Sequence, residues 1–257
     1  MLLSGLTSDT FPKLIPRRIV EVAQAAGIDG IEWEAGSHVP IGDTEAARRA
    51  RAVTEEAGMV VISYGVDEPV EEDDRIEQIV ATAGALGAAA IRLRAGAVPR
   101  AEASVEEQSR VVEALSACVE LAGGQGLLVA VGLHPKSHAA NAKEAVELLR
   151  AANVETAHVF WHPQNPEDVD ENLNDLQTVE EVVLGVHCSG VEETGDSTML
   201  SEVTDRWAKY LSVLRAVDDD HWLCLRGVED DRVDAFYRDA QTLRRLAARY
   251  GDDEPDL

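Results

Sequence analysis

The sequence predicts an α/β protein built as a (β/α)8 barrel in a single domain. Three observations carry this prediction. Eight short apolar runs alternate with amphipathic, Ala- and Glu-rich stretches along the chain, the pattern of a parallel sheet covered by helices. Glycines fall just before several of the apolar runs, where helices end. The 257 residues also suit eight such units, as barrels of this type run to about 250 residues. A doubly wound open sheet is the competitor, but its glycine-rich phosphate loop after the first strand is missing. Ser4-Gly5-Leu6-Thr7-Ser8-Asp9 leads instead to Phe11-Pro12.

Taken in order, Leu2–Thr7 is the first strand. The first helix has Ile19, Val20 and Ala23 at helical spacing, and Gly27 ends it before the second strand, Asp29–Glu34. Gly58 precedes the third strand, Met59–Tyr64. Ile76, Ile79, Val80 and Ala83 mark the third helix, and Gly87 leads into the fourth strand, Ala88–Leu93. Val111, Ala114, Leu115 and Cys118 mark the fourth helix, and Gly126 opens the fifth strand, Leu127–Gly132. His138 is expected at the start of the fifth helix, as a surface or capping residue. Ala157–Trp161, Val182–His187 and Trp222–Leu225 complete the strands. The barrel is expected over residues 1–250, with 251–257 as an acidic disordered tail too polar to pack.

Composition narrows the function. Forty-eight acidic residues face 23 basic ones, a net charge of −25, and only four of the basic residues are lysine. Such a field repels phosphate backbones, so no nucleic-acid partner is expected. An acidic, lysine-poor surface suits a halophilic host that accumulates salt. No apolar run approaches a membrane span, and the first residues lack a basic-then-apolar leader. The three cysteines, Cys118, Cys188 and Cys224, form no disulfide framework or metal-ligand spacing. A cytoplasmic protein is the expectation.

In a barrel of this kind the chemistry sits at the C-terminal ends of the strands. Five of the seven histidines fall in those windows. His134, His162 and His187 end strands five, six and seven, and converging imidazoles there would hold a divalent metal, Zn or Mn, with an open position. Alternatively they hydrogen-bond ligand oxygens or one another, or merely cap the mouth; no carboxylate stands beside them in the same windows, and hard-cation sites want oxygen ligands. Arg92 and Arg226 either anchor a carboxylate or phosphate or pair with acids such as Glu32 and Glu34. Trp33, Trp161 and Tyr64 either wall a sugar-sized pocket or belong to the core. Cys188 and Cys224 read as small buried residues.

These windows resemble the xylose isomerase-like TIM barrels, in particular proteins of the sugar phosphate isomerase/epimerase type, which are related to metal-dependent abasic-site endonucleases. The resemblance lies in Gly5-Leu6-Thr7, in Ala25 to Trp33 with His38-Val39-Pro40, in Thr54 to Gly58 before Ser63-Tyr64-Gly65, and in Ala85-Leu86-Gly87-Ala88 with Ile91-Arg92. It implies a metal held by Glu, Asp, His and Glu at the ends of strands five to eight, with the two glutamates moving the proton. Those positions fall on Gly132, His162, His187 and Arg226, so one ligand of four is kept and both bases are gone. The expectation is therefore a small anionic sugar or polyol ligand, with the family's metal-assisted proton transfer altered or lost. Arg92, Arg226, His38, Trp33 and Trp161 are the candidate ligand-binding residues; His187, His162 and a displaced base, Glu34, are the candidate catalytic ones. A non-catalytic relative that binds an acidic metabolite is the alternative.

Overall fold

The computed structural model describes residues 1–70, 73–154, 156–165, 168–190 and 197–251. Eight parallel strands close into a barrel in chain order: β1 (Leu2–Thr7), β2 (Gly30–Glu34), β3 (Val60–Pro69), β4 (Ala90–Arg94), β5 (Leu128–Gly132), β6 (Ala157–Trp161), β7 (Val183–Cys188) and β8 (His221–Leu225). The ring closes where Leu2 of β1 lies beside His221 of β8 and Leu6 beside Leu225. Around it stand α1 (Pro16–Ala26), α2 (Thr44–Glu56), α3 (Asp73–Leu86), α4 (Val105–Gly123), α5 (Ala142–Ala151), α6 (Val169–Val179), α7 (Thr204–Leu214) and α8 (Val233–Gly251). No helix among the described residues is long and apolar enough to cross a membrane.

The helices end where local chemistry stops them. Pro16 opens α1, where a missing N–H costs nothing, and Gly27 closes it in the left-handed region at φ 70°. Ser104 and Glu107 form a reciprocal capping box at the start of α4. Asn141, not His138, caps α5. His138 lies in the turn before it and is buried, a correction to its expected surface position. Gly251, expected in the tail, is the last residue of α8. Residues 252–257, the rest of that expected tail, lie outside the described residues.

The main core lies between sheet and helices. A second, smaller cluster of Ile62, Ala130, Phe160 and Cys224 comes from four different strands and plugs the barrel interior. Glycines make room for this plug. A Cβ on Gly5 would meet Cys224 Sγ and Ile62 Cδ1 at 2.6 Å, and one on Gly185 would meet the Phe160 ring at 2.5 Å. All three cysteines are buried and free.

β3 is the element that departs most from expectation. It continues five residues past Tyr64, to Pro69, and its register to β4 shifts between Val66 and Pro69. The apolar run breaks at Gly65, so its pattern underestimates the strand. The extension places Asp67 at the mouth of the barrel.

Candidate functional site

Above the apolar plug, the strand ends carry a layer of interlocked charge. Glu32 on β2 is fully buried; its Oε2 accepts from Ser63 Oγ at 2.5 Å, and its Oε1 accepts from His187 Nε2, across the barrel, at 2.8 Å. Arg92 on β4, only 2% exposed, donates from Nε to Glu32 at 3.2 Å, from Nη1 to Asp67 at 2.6 Å, and from Nη2 to Glu34. Arg226, just beyond β8, donates from Nη2 to Asp67 at 2.6 Å and to Asp9 at 3.1 Å. Its Nη1 lies 3.4 Å from His187 Nδ1. Two guanidiniums therefore bind four carboxylates, Asp67 bridging them. Five N–H donors in a planar fork let one guanidinium pair with several carboxylates at once.

Glycine again sets the geometry. A Cβ on Gly65 would lie 2.6 Å from Arg92 Nη2 and from both Glu34 carboxylate oxygens, and one on Gly132 would lie 3.3 Å from Arg92 Nη1. Arg92 thus occupies space that side chains at two neighbouring strands would otherwise claim.

The charges sort the acids by role. Burial opposes ionisation of Glu32, but Arg92 and then His187 more than offset it and hold the carboxylate well below its usual range. Asp67 is likewise held low, because Arg92 and Arg226 outweigh its burial. Glu34 goes the other way: burial, only partly opposed by Arg92, together with the nearby charges of Glu32, Asp9 and Asp67, pushes it up to about 8. With four carboxylates around two guanidiniums, Glu34 is the group that keeps a proton at neutral pH. Burial, reinforced by His187, Arg226 and Arg92, pushes the His162 imidazole down to about 3. His187 is lowered as well, burial outweighing the pull of Glu32. Both rings are neutral at pH 7.

Beside this layer opens a cavity of about 330 Å³, within the size range of small-ligand sites. Its walls include Arg92, Arg94, Arg206 and Arg226, with Asp67 the sole carboxylate among the described lining residues. His134, His162 and His187 also face it, and Trp207 and Tyr210 of α7 supply an apolar wall. The Trp207 indole donates to the Ser189 carbonyl at 3.1 Å and packs edge-on to Tyr210, which fixes its orientation.

The structure brings together some of the residues singled out in the sequence and separates others. Arg92, Arg226, His134, His162 and His187 line the cavity, with Glu34 behind Arg92. Of the two alternatives for the arginines, the structure shows the pairing with acids, and both side chains also face the cavity. Glu32, from the end of the second strand, gives His187 the carboxylate partner that the histidines' own windows do not contain. Trp33 and Trp161 point the opposite way. Trp33 donates to Thr54 on α2 at 3.2 Å, and Trp161 donates to Asp175 on α6 at 3.0 Å, because alternate strand residues face the helical layer. Tyr64 likewise donates to the Val39 carbonyl at 2.8 Å. His38 is a brace, with Nδ1 3.0 Å from Ser8 Oγ and Nε2 3.0 Å from the Leu14 carbonyl. Asp67, Arg206, Trp207 and Tyr210 carry no signal of a site in the sequence. Asp67 lies beyond the apolar run of β3, and the other three lie on α7, outside the strand-end windows.

The three histidines do not form one ligand set. His187 has both ring nitrogens engaged, by Glu32 and Arg226, and His162 Nε2 meets the Gln164 amide at 2.9 Å. Nor do the described residues fit the metal site implied by the resemblance: Gly132 offers no donor atom, and Arg226 places a cation beside the one retained ligand. The one group of metal-type donors within 4.8 Å of one another, among the described residues, is Asp9, Glu34 and Asp67. Each of these carboxylates already contacts a guanidinium.

No curated protein matches the chain in sequence. Solved structures resemble it in fold. The probable 3-DHS dehydratase AsbF of Bacillus anthracis, involved in petrobactin synthesis, superposes with a TM-score of 0.77 at 16% identity, over 94% of this chain and 98% of that one. The 3-keto-D-glucoside 4-epimerase YcjR of E. coli gives 0.71 at 13% identity, over 95% and 100%. A xylose isomerase-like TIM barrel protein from Mycobacterium smegmatis, solved in complex with magnesium, gives 0.71 at 10% identity, over 97% of each. The family profile described as xylose isomerase-like TIM barrel matches residues 20–248, most of the chain. By that match and by its closed eight-stranded architecture, the chain belongs to the xylose isomerase-like TIM barrel family.

Proposed function

We propose that the chain is a sugar phosphate isomerase/epimerase-like protein that binds a small anionic sugar or polyol derivative at the mouth of the barrel. One observation carries the reading: four arginines line the cavity in a chain of net charge −25, with a single carboxylate among the described lining residues. Arginine concentrated against the overall charge is the signature of a site for a carboxylate or phosphate. Arg226 and Arg92 hold the anion, and the apolar wall of Trp207 and Tyr210 takes the carbon skeleton. The neutral rings of His187 and His162 accept or relay a proton, and Glu34 holds one to donate. The family's metal-assisted proton transfer is altered, because both of its glutamate bases are replaced. The acidic surface fits a cytoplasm rich in salt and no nucleic-acid partner.

A second reading is a metabolite-binding protein without turnover. It is favoured by the engagement of both ring nitrogens of His187, which leaves that ring no free position for a substrate proton. A screen of sugar phosphates and aldonates in high salt separates the two. Turnover abolished by His187→Ala supports the enzyme. Binding without turnover, lost in Arg226→Ala, supports the second reading. Absence of binding to every anion in the screen would remove both.

A further inference from the structure

The positions where the family resemblance implies a metal are filled in this chain by guanidinium. Arg92 Nη1 lies 3.3 Å from where a side chain at Gly132 would begin. Arg226 Nη1 lies 3.4 Å from Nδ1 of His187, the one retained ligand, whose Nε2 is taken by Glu32 at 2.8 Å. Both cations are fixed. Arg92 is bound by Glu32, Glu34 and Asp67, and Arg226 by Asp67 and Asp9. The acids that hold them come from β1 to β3 and the turns that follow, the opposite side of the ring from Gly132, His162 and His187.

We propose that Arg92 and Arg226 stand in the place of the divalent cation. The two guanidiniums, anchored by acids on the β1–β3 side, turn N–H donors to the barrel mouth, and with Arg94 and Arg206 on the same wall they give an anion a place to bind without a metal. The same arrangement explains why Asp9, Glu34 and Asp67 converge within 4.8 Å. Carboxyl groups that close either keep a proton, as Glu34 does, or need a cation among them, as Asp9 and Asp67 do, and here the guanidiniums are that cation. A divalent ion would have to displace them from these ion pairs, buried for Arg92 with Glu34 and half-buried for Arg226 with Asp9, and would add its charge beside theirs. Removal of Arg226 reverses this. Asp9 would lose its guanidinium partner, Asp67 one of two, and the carboxylates would form an oxygen-rich site suited to a hard cation. The anion half of this proposal rests on the preceding functional reading; the metal half does not.

The test uses the full chain, produced with Mn²⁺ and Zn²⁺ in the medium and purified in high salt without chelator. Metal content by elemental analysis is expected to fall far below one ion per chain, with a Tm unchanged by EDTA or by added Mn²⁺. Arg226→Gln, checked for folding by circular dichroism, is expected to gain a Tm that rises with Mn²⁺ concentration. A stoichiometric metal in the wild type, removed by EDTA with a drop in Tm, overturns the proposal; this measurement stands even if the variant does not fold. A folded Arg226→Gln chain indifferent to Mn²⁺ overturns it too. Titration with an aldonate separates this proposal from the functional reading. A metal-free wild type that binds no anion defeats that reading and leaves the cation substitution standing. An anion bound only after Mn²⁺ is added overturns the substitution.

Discussion

Two adjacent inward-facing glutamates on β2 have opposite characters, and the difference is measurable. Glu32 is ionised and tied to Arg92, His187 and Ser63. Glu32→Gln would leave Arg92 short of a charge partner in the interior, at a cost of about 3–5 kcal/mol. Glu34, with its carboxyl pushed up to about 8, already behaves as a neutral group at pH 7. Glu34→Gln is therefore expected to cost less than about 1.5 kcal/mol, as a near-isosteric change. Urea denaturation of both variants at pH 7 checks the ordering, and equal losses would contradict the assignment. Gly65 gives a steric counterpart. Its added Cβ would meet Arg92 and Glu34 at 2.6 Å, so Gly65→Ala is expected to cost roughly 1–3 kcal/mol. Gly36→Ala, with nothing within 4 Å of the new methyl, is the control and should change stability by less than about 0.5 kcal/mol.

At the scale of elements, α7 and the end of β3 shape the site. Trp207 faces the cavity, whereas Trp33 and Trp161 are buried against the helices and Trp222 packs beside the interior plug. A bound anion should therefore change the fluorescence of Trp207 alone. Trp207→Phe is expected to abolish that change while calorimetry still detects binding; a signal that persists would place the ligand elsewhere. The elements also show what could be read in advance. The apolar runs located β1 and β6 without error and β2, β4, β5, β7 and β8 to within one or two residues, because strands buried on both faces are continuously apolar. The histidines and arginines at the strand ends were legible because the barrel dictates where to look. Asp67 was not, since a polar residue beyond a glycine gives no periodic signal of a strand. Trp33 and Trp161 were ambiguous because a strand end offers two faces and composition does not choose between them. Their hydrogen bonds to Thr54 and Asp175 decide it.

For the whole molecule, the −25 charge and the buried polar layer set the response to salt and pH. Self-repulsion weakens as the Debye length falls from about 10 Å at 0.1 M to about 3 Å at 1 M salt. Tm is therefore expected to rise with KCl over that range, and a flat profile would count against a destabilising surface charge. The pH response between the usual carboxylate range and pH 8 follows from Glu34, whose carboxyl is pushed by burial up to about 8. The folded chain keeps a proton that the unfolded chain has released, so stability falls as pH rises through that interval. Up to about pH 7.5 the lowered histidines, His162 above all, act in the opposite sense, because the unfolded chain takes up protons that the fold refuses. Between about pH 7.5 and 8 the loss from Glu34 prevails, at less than about 1.4 kcal/mol per pH unit, the value for one proton. Glu34→Gln should flatten it. The proposed selection of an anion by arginine at the barrel mouth is measured by calorimetry of gluconate and gluconate 6-phosphate beside glucose at one fixed salt concentration. At least one of the anions should bind, with glucose at least about tenfold weaker, as loss of a charge-assisted pair implies; glucose binding as tightly as either anion would mean that the arginines do not select the ligand.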